Sequence, residues 1–294
     1  MPAAFIIHPE SGESLSFEDA PQRLDNDGLM PWFAVKAIIE RYAERKPSFN
    51  VRPSDLTPSM ECRRQRVWKE SHPHGINPLE EEYPVEGGAL HEAYGTAEID
   101  LPSKKEGERI LVMGIPMRGK MDFMPIDAFE DLKSTTPYWY PRFATKEQKA
   151  ADPTLRPYAA IWEPSDYSSD IEKWQFQLST YRVMAIKDGL FAEETAPKIG
   201  RVWRRYGGVK TDKPRYKKFE FPLLSEEELD ARIGDWARTL RDGLTTAAGG
   251  DAEAWKTMPA DGRQITSSRQ GLWKCNRCPL RNECDAFDGS WEAF

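Results

Sequence analysis

Apolar positions recur along this chain with two different periods, and the switches between them divide it. Over residues 31–45, Trp32, Val35, Ile39 and Tyr42 share one helical face, and Pro31 suits a first turn. Residues 1–28 are polar and carry no clear period. A second helix is expected from Thr57-Pro58, carrying Cys62 and Trp68, and a third from near Gly87-Gly88, carrying His91. The period then shortens. Residues 109–115, 120–126 and 128–133 each read as a strand, and their short connections predict an antiparallel meander. Residues 134–169 are rich in proline and aromatics, which predicts a long functional loop with a short helix at 145–151. Helical spacing returns from Asp170, the expected cap, to Gly189, the expected stop. A hairpin follows in residues 198–206 and 215–223. Ser225 and Glu228 then form a capping box that opens a long helix, with Leu229, Ile233, Trp236, Leu240 and Leu244 on one stripe. Residues 248–272 read mostly as loop, broken at Gly249-Gly250.

Composition adds limits to this pattern. The 294 residues are enough for a sizeable core, and 39% hydrophobic with 30% charged residues is the balance of a globular protein in water. No run approaches the roughly 18 apolar residues of a membrane span, so no membrane association is expected. The first residues lack a basic region followed by an apolar stretch, so a cytoplasmic location is expected. A net charge of −7 argues against a protein that coats nucleic acid nonspecifically. It leaves room for a nuclease, because metal-binding carboxylates add negative charge while basic residues cluster locally.

Candidate chemistry is densest around the expected meander. Gly119-Lys120-Met121-Asp122 precedes Asp131-Leu132-Lys133. Adjacent strands bring Asp122 and Asp131 side by side, and Asp131 and Lys133, two apart, share a strand face. Two carboxylates suit a hard divalent cation, which polarises a phosphate and acidifies water, and an ammonium beside them serves the water or offsets transition-state charge. A solvated strand edge with an ordinary salt bridge gives the same triplet. His91 can add a nitrogen ligand, which favours Mn²⁺ over Mg²⁺. Gln177 and Tyr181, four apart, share a helix face from which an amide and a phenol reach a phosphate or its attacking water. Taken alone, a histidine of this kind is more often structural, and the pair is more often a partly exposed helix flank.

In this order along the chain, His91, Gly119-x-x-Asp122, Asp131-x-Lys133 and Gln177-x-x-x-Tyr181 resemble the PD-(D/E)XK nuclease superfamily, and within it the RecB-like branch. The likeness covers roughly residues 57–190. It implies an α/β fold, a RecB-like nuclease core with a mixed sheet flanked by helices. It also implies catalysis by Lys133, Asp122, Asp131, Gln177 and Tyr181, with metal ligation by His91, Asp122, Asp131 and the Leu132 carbonyl. The expected activity is metal-dependent DNA exonuclease action with Mn²⁺ or Mg²⁺ on single strands or ends, and 5′→3′ polarity is what the resemblance implies. Two departures stand out: Asp131 sits where many relatives use Glu, and the span from Lys133 to Gln177 is longer than many relatives need.

The four cysteines narrow the likeness. Cys275-x2-Cys278-x5-Cys284 lies near the end of the sequence and Cys62 far upstream, and in a reducing compartment such a set points to metal. Four thiolates suit a 4Fe-4S cluster or a tetrahedral zinc, although zinc more often takes two paired knuckles. The one-plus-three split resembles the iron–sulfur exonucleases: the CRISPR-associated RecB-like family, its phage-encoded relatives and the AddB nuclease domain. That implies a 4Fe-4S cluster joining an N-terminal helix to the C-terminal segment. Such a long closure should staple the core. The expected organisation is therefore an N-terminal helical segment (1–56), a nuclease core (57–247, with an insertion at 134–169 and the hairpin at 198–223) and an iron–sulfur segment (248–294).

Two surfaces are candidates for DNA. The hairpin concentrates Arg201, Arg204, Arg205, Lys217 and Lys218 around Trp203, Tyr206 and Tyr216, a mixture that neutralises phosphates and stacks bases. Its charges also suit a solvated hairpin that protects an edge strand. In the insertion, Trp139 and its aromatic neighbours either line a path for a single strand or pack the loop. Expected partners are DNA, a CRISPR integrase, or recombination and replication proteins. Trimming for such an integrase, endonuclease action and phage DNA processing are rivals within the enzyme class. A catalytically idle iron–sulfur module that binds DNA ends is the rival outside it.

Overall fold

In the computed structural model, residues 3–43, 46–56, 62–78, 99–101, 109–121, 127–135, 139–143, 160–164, 168–206, 216–261, 278, 280, 283 and 284 are described; for residues 43, 99–101, 134–135, 139–143, 160–164, 168–170 and 205–206 only the backbone is. The first of these residues form a small layer of their own. β1 (Ala3–Ile7) pairs antiparallel with β2 (Ser14–Leu15) and parallel with β3 (His74–Ile76). Helices α1 (Ala20–Asn26) and α2 (Trp32–Ala43) cover it, burying Ile6, Leu24, Val35, Ile38 and Ile76 together. The region expected to lack a period thus holds two strands, too short for alternation to register. On α2 the buried positions are Val35 and Ile38, whereas Trp32 is 52% exposed. Helical side chains lean toward the N-terminus, so one on the first residue overhangs the helix start.

Cys62 marks a second difference. Its backbone is extended (φ −95°, ψ 116°) and it caps α3 (Arg63–Ser71), so the helix bearing Trp68 starts there and not at Thr57-Pro58. Residues 57–61, and the expected third helix at residues 87–91, lie outside the described residues.

The β region departs from a meander. Residues 109–115 do not form one strand. They fold as a hairpin of β5 (Ile110–Val112) and β6 (Ile115–Met117), following β4 (Ile99–Leu101) in the chain. The reason is local: Met113 and Gly114 both take positive φ, 52° and 71°, the geometry of a tight type I′ turn. β7 (Gly119–Met121) pairs with β4, and β8 (Phe129–Thr135) pairs in parallel with β11 (Ile199–Tyr206). The expected loop at 134–169 contains β9 (Trp139–Phe143) and β10 (Ala160–Pro164), an antiparallel pair; the expected helix at 145–151 lies outside the described residues. β11 continues into the expected hairpin with β12 (Tyr216–Pro222), giving a mixed three-stranded sheet in the order β12-β11-β8.

The crossover from β8 to β11 runs through α4 (Ser168–Lys187), which packs on all three strands of that sheet. A parallel pair needs such a crossover. Asp170 lies inside α4, and Gly189 ends it as expected. With φ 74°, Gly189 lets its own N–H reach Ile186 O at 3.0 Å and that of Leu190 reach Ala185 O at 2.9 Å, a Schellman closure. The Ser225 capping box forms in both directions, Glu228 N–H to Ser225 Oγ at 3.2 Å and Ser225 N–H to Glu228 Oε2 at 2.8 Å. It opens α5 (Glu226–Leu229), which runs through one wide π turn (Asp230–Gly234) into α6 (Asp235–Ala248). Leu229, Ile233, Leu240 and Leu244 on the expected stripe are buried against Val67, Leu178 and Met184 in the main core, with Trp236 partly buried beside them. Each such apolar side chain contributes about 1.5–3 kcal/mol on burial. The fold is α/β, with small mixed sheets and helices. No helix among the described residues is long and apolar enough to cross a membrane.

Candidate active site

Alternation along β8 sends Phe129, Asp131 and Lys133 to one face and Glu130 and Leu132 to the other. Phe129 is fully buried under α4, and this draws Asp131 below the surface as well, to 4% exposure. Lys133 Nζ stands 2.6 Å from Asp131 Oδ2, with the lysine side chain 31% exposed. That oxygen is sealed from solvent and takes no aligned hydrogen bond, so its described compensation is the ammonium charge. A buried carboxylate with spare acceptor capacity fits a hard cation. Leu132 is buried on the far face.

The helix over this face carries the next expected pair. Gln177 is 6% exposed and Tyr181 8%, one turn apart on the buried side of α4. Tyr181 meets β7: a β-carbon built on Gly119 would lie 2.7 Å from Tyr181 Cε1 and 3.1 Å from Pro53 Cγ. The glycine of Gly119-x-x-Asp122 is therefore required by space. The structure brings Asp131, Lys133, Gln177, Tyr181 and Gly119 around one helix. Asp122 and His91 lie outside the described residues.

Register divides the basic hairpin. Lys133 pairs with Arg204 and Arg204 with Lys217, so these three share the face of Asp131. Arg201 and Lys218 belong to the opposite face, as does the β11 position of Arg205. There Arg201 binds Glu130, Asp127 at 3.0 Å and Glu220 at 2.8 Å, while Lys218 lies 3.3 Å from Glu220. Arg201 holds the carboxyls of Asp127 and Glu220 below the usual range through these hydrogen bonds. Arg204 is 9% exposed, with its guanidinium 5.4 Å from the Trp174 ring centroid. Trp174 leans on Phe219 at 5.2 Å, and Lys217 Nζ stands 5.0 Å from that ring. Sequence reading treated the hairpin as one surface and passed over Trp174. Strict alternation would have split the charges. Trp139 opens β9, paired with Pro164, and only its backbone is described.

The cysteines meet the core at α3. Arg63 grips Asp261 with two side-chain bonds, 2.8 and 2.7 Å, and its backbone N–H adds a third at 3.1 Å. Arg64, buried, donates to Met258 O at 3.1 Å and to Cys284 Sγ at 3.6 Å. Cys284 therefore sits against the turn that Cys62 caps. Leu280 is buried below it and accepts the N–H groups of Glu283 and Cys284. Cys278 and Cys284 are partly buried against the main core. A guanidinium N–H directed at Sγ suits a thiolate. Among the described residues no three His, Cys, Asp or Glu side chains stand together to hold a metal ion, and Cys275 lies outside them.

Compared with family models, curated proteins and solved structures, the chain matches none.

Proposed function

We propose that this protein is a metal-dependent DNA nuclease of the RecB-like kind, acting exonucleolytically on single strands or ends. One observation carries the reading: a buried carboxylate, Asp131, with Lys133 at 2.6 Å, on a sheet face roofed by the helix of Gln177 and Tyr181. Asp131 would hold Mn²⁺ or Mg²⁺ with Asp122, His91 and the Leu132 carbonyl. Such a cation supplies Lewis acidity at the phosphate. Lys133 brings an ammonium whose charge offsets what grows on the phosphate oxygens, held in place by its contact with Asp131. Tyr181 packs on β7, the strand that precedes Asp122 in the chain, while Gln177 offers an amide on the same helix face. The 5′→3′ polarity follows from resemblance alone.

The same reading assigns Cys62, Cys275, Cys278 and Cys284 to a 4Fe-4S cluster that staples α3 to the C-terminal segment. Support comes from the clamp of Arg63 and Arg64 on residues 256–261 and Cys284. On this reading the cysteines stay as thiolates, which suits a reducing compartment such as the cytoplasm.

The test is cleavage of labelled single- and double-stranded DNA with Mn²⁺, Mg²⁺ or a chelator. Metal-dependent release of short products from an end supports the proposal. Binding without cleavage under every metal condition replaces it with an idle DNA-end-binding module.

A further inference from the structure

Two aromatic rings stand in water on the small layer of β1, β2 and β3. Trp32 is 52% exposed and Phe33 63%, more than any other described tryptophan, phenylalanine or tyrosine. They follow one another in the first turn of α2, with ring centroids 6.1 Å apart and ring planes at 86°. The layer closes its own core with Ile6, Leu24, Val35 and Ile38, and neither ring belongs to it. One exposed apolar side chain is ordinary, but two bulky rings side by side form a patch that a partner can cover. Tryptophan in particular is enriched among the residues that anchor interfaces.

The charge around the pair is one-sided. Residues 8–30 hold six acids, all exposed, against one base, Arg23, and so carry −5 of the chain's net −7. Arg23 is itself bound to Asp27 at 3.0 Å. Asp25 is the acid that touches the pair: its Oδ1 accepts the backbone N–H of Trp32 at 3.3 Å, which holds the carboxylate beside the rings. Along α2, Lys36 follows one turn later and Glu40 a turn beyond it. Ring faces are electron-rich, and two rings at a right angle leave a corner in which one cation reaches both within about 6 Å.

We infer that Trp32, Phe33 and Asp25 form a docking site for an arginine-bearing segment of a partner protein. A guanidinium stacks on aromatic faces, is more weakly hydrated than an ammonium and pairs with a carboxylate through two parallel bonds. The acids of the layer steer such a segment toward the rings. They turn away phosphates and anionic lipid, and a second copy docking by the same face would bring like charges together. The layer has a core separate from the one beneath the candidate active site, and the docking site does not rest on the nuclease reading.

The test uses a short labelled peptide of alternating Arg and Ser, beside its counterpart with Glu for Arg, and reads binding to the full chain by anisotropy. The Arg peptide is expected to bind and the Glu peptide is not. Trp32→Leu, which keeps an apolar side chain but removes the ring, is expected to weaken binding by about tenfold, the effect of losing a cation–π anchor. Trp32→Phe, which keeps a ring, is expected to retain most of it. Asp25→Asn is expected to weaken binding and to reduce its dependence on salt, because one charge is gone. Leu111→Ala, at another exposed apolar side chain, is expected to change nothing. No binding of the Arg peptide by the wild type, equal binding of the two peptides, or Trp32→Leu binding as the wild type does would each overturn the inference. Sedimentation of the wild type alone supplies the remaining arm: a dimer that Trp32→Leu dissociates would give the rings to a second copy and overturn the arginine site.

Discussion

The ring of Tyr181 stands 2.7 Å from where a β-carbon on Gly119 would lie, so α4 is seated directly on the strand that leads into Asp122. Gly119→Ala should force the ring or the strand aside, at about 1–3 kcal/mol for overpacking. Urea unfolding should show that loss, and cleavage should fall with it. Tyr181→Leu, which removes the clashing ring edge, should recover most of the stability in the double variant. Simple additivity of the two changes would show that the contact does not couple them.

Asp261, buried, ties the C-terminal segment to α3 through three bonds from Arg63, which is partly buried. Asp261→Ala leaves a partly buried guanidinium without its carboxylate, a change that costs about 1–3 kcal/mol. The denaturation midpoint should drop accordingly. A midpoint within error of wild type would mean that the clamp does not bear on stability.

Protein purified without oxygen should be brown, with about four iron atoms and four sulfides per chain. Alanine at any of Cys62, Cys275, Cys278 or Cys284 should bleach it. Arg64→Met should shift the visible spectrum, because it removes the N–H directed at Cys284 Sγ. Stoichiometric zinc with no sulfide would decide for the rival metal.

Trp139 opens the β9–β10 hairpin that follows the strand of Asp131 and Lys133. Trp139→Ala should weaken single-strand binding by about 1–3 kcal/mol, the worth of one stacked base, at an unchanged melting temperature. Lost stability with unchanged binding would assign the ring to packing instead.

Elements whose signals are local could be read from the sequence. The Ser225 box, the Gly189 stop, the hairpin β11–β12 and the stripe from Leu229 to Leu244 each depend on a few neighbouring residues, and the structure has them all. So was the shared face of Asp131 and Lys133, which follows from alternation alone. Pairing between strands far apart in the chain was not legible. Whether β8 lies beside β7 or β11 depends on contacts between distant parts of the chain, such as the packing of α4 on β8 and β11. The turn at Met113 was hidden because a methionine with φ 52° leaves no composition cue. Arg204 looked like surface because its cover, Trp174, comes from another element.

The most direct test of the account is the Lys133→Ala variant beside wild type, with cleavage followed in Mn²⁺ and binding in chelator. The account predicts that cleavage falls by about 10² or more, as when a preorganised charge is removed from a transition state. Binding should weaken by no more than the loss of one phosphate contact. Cleavage by Lys133→Ala at the wild-type rate would contradict the assignment of Asp131 and Lys133 as the centre of the active site.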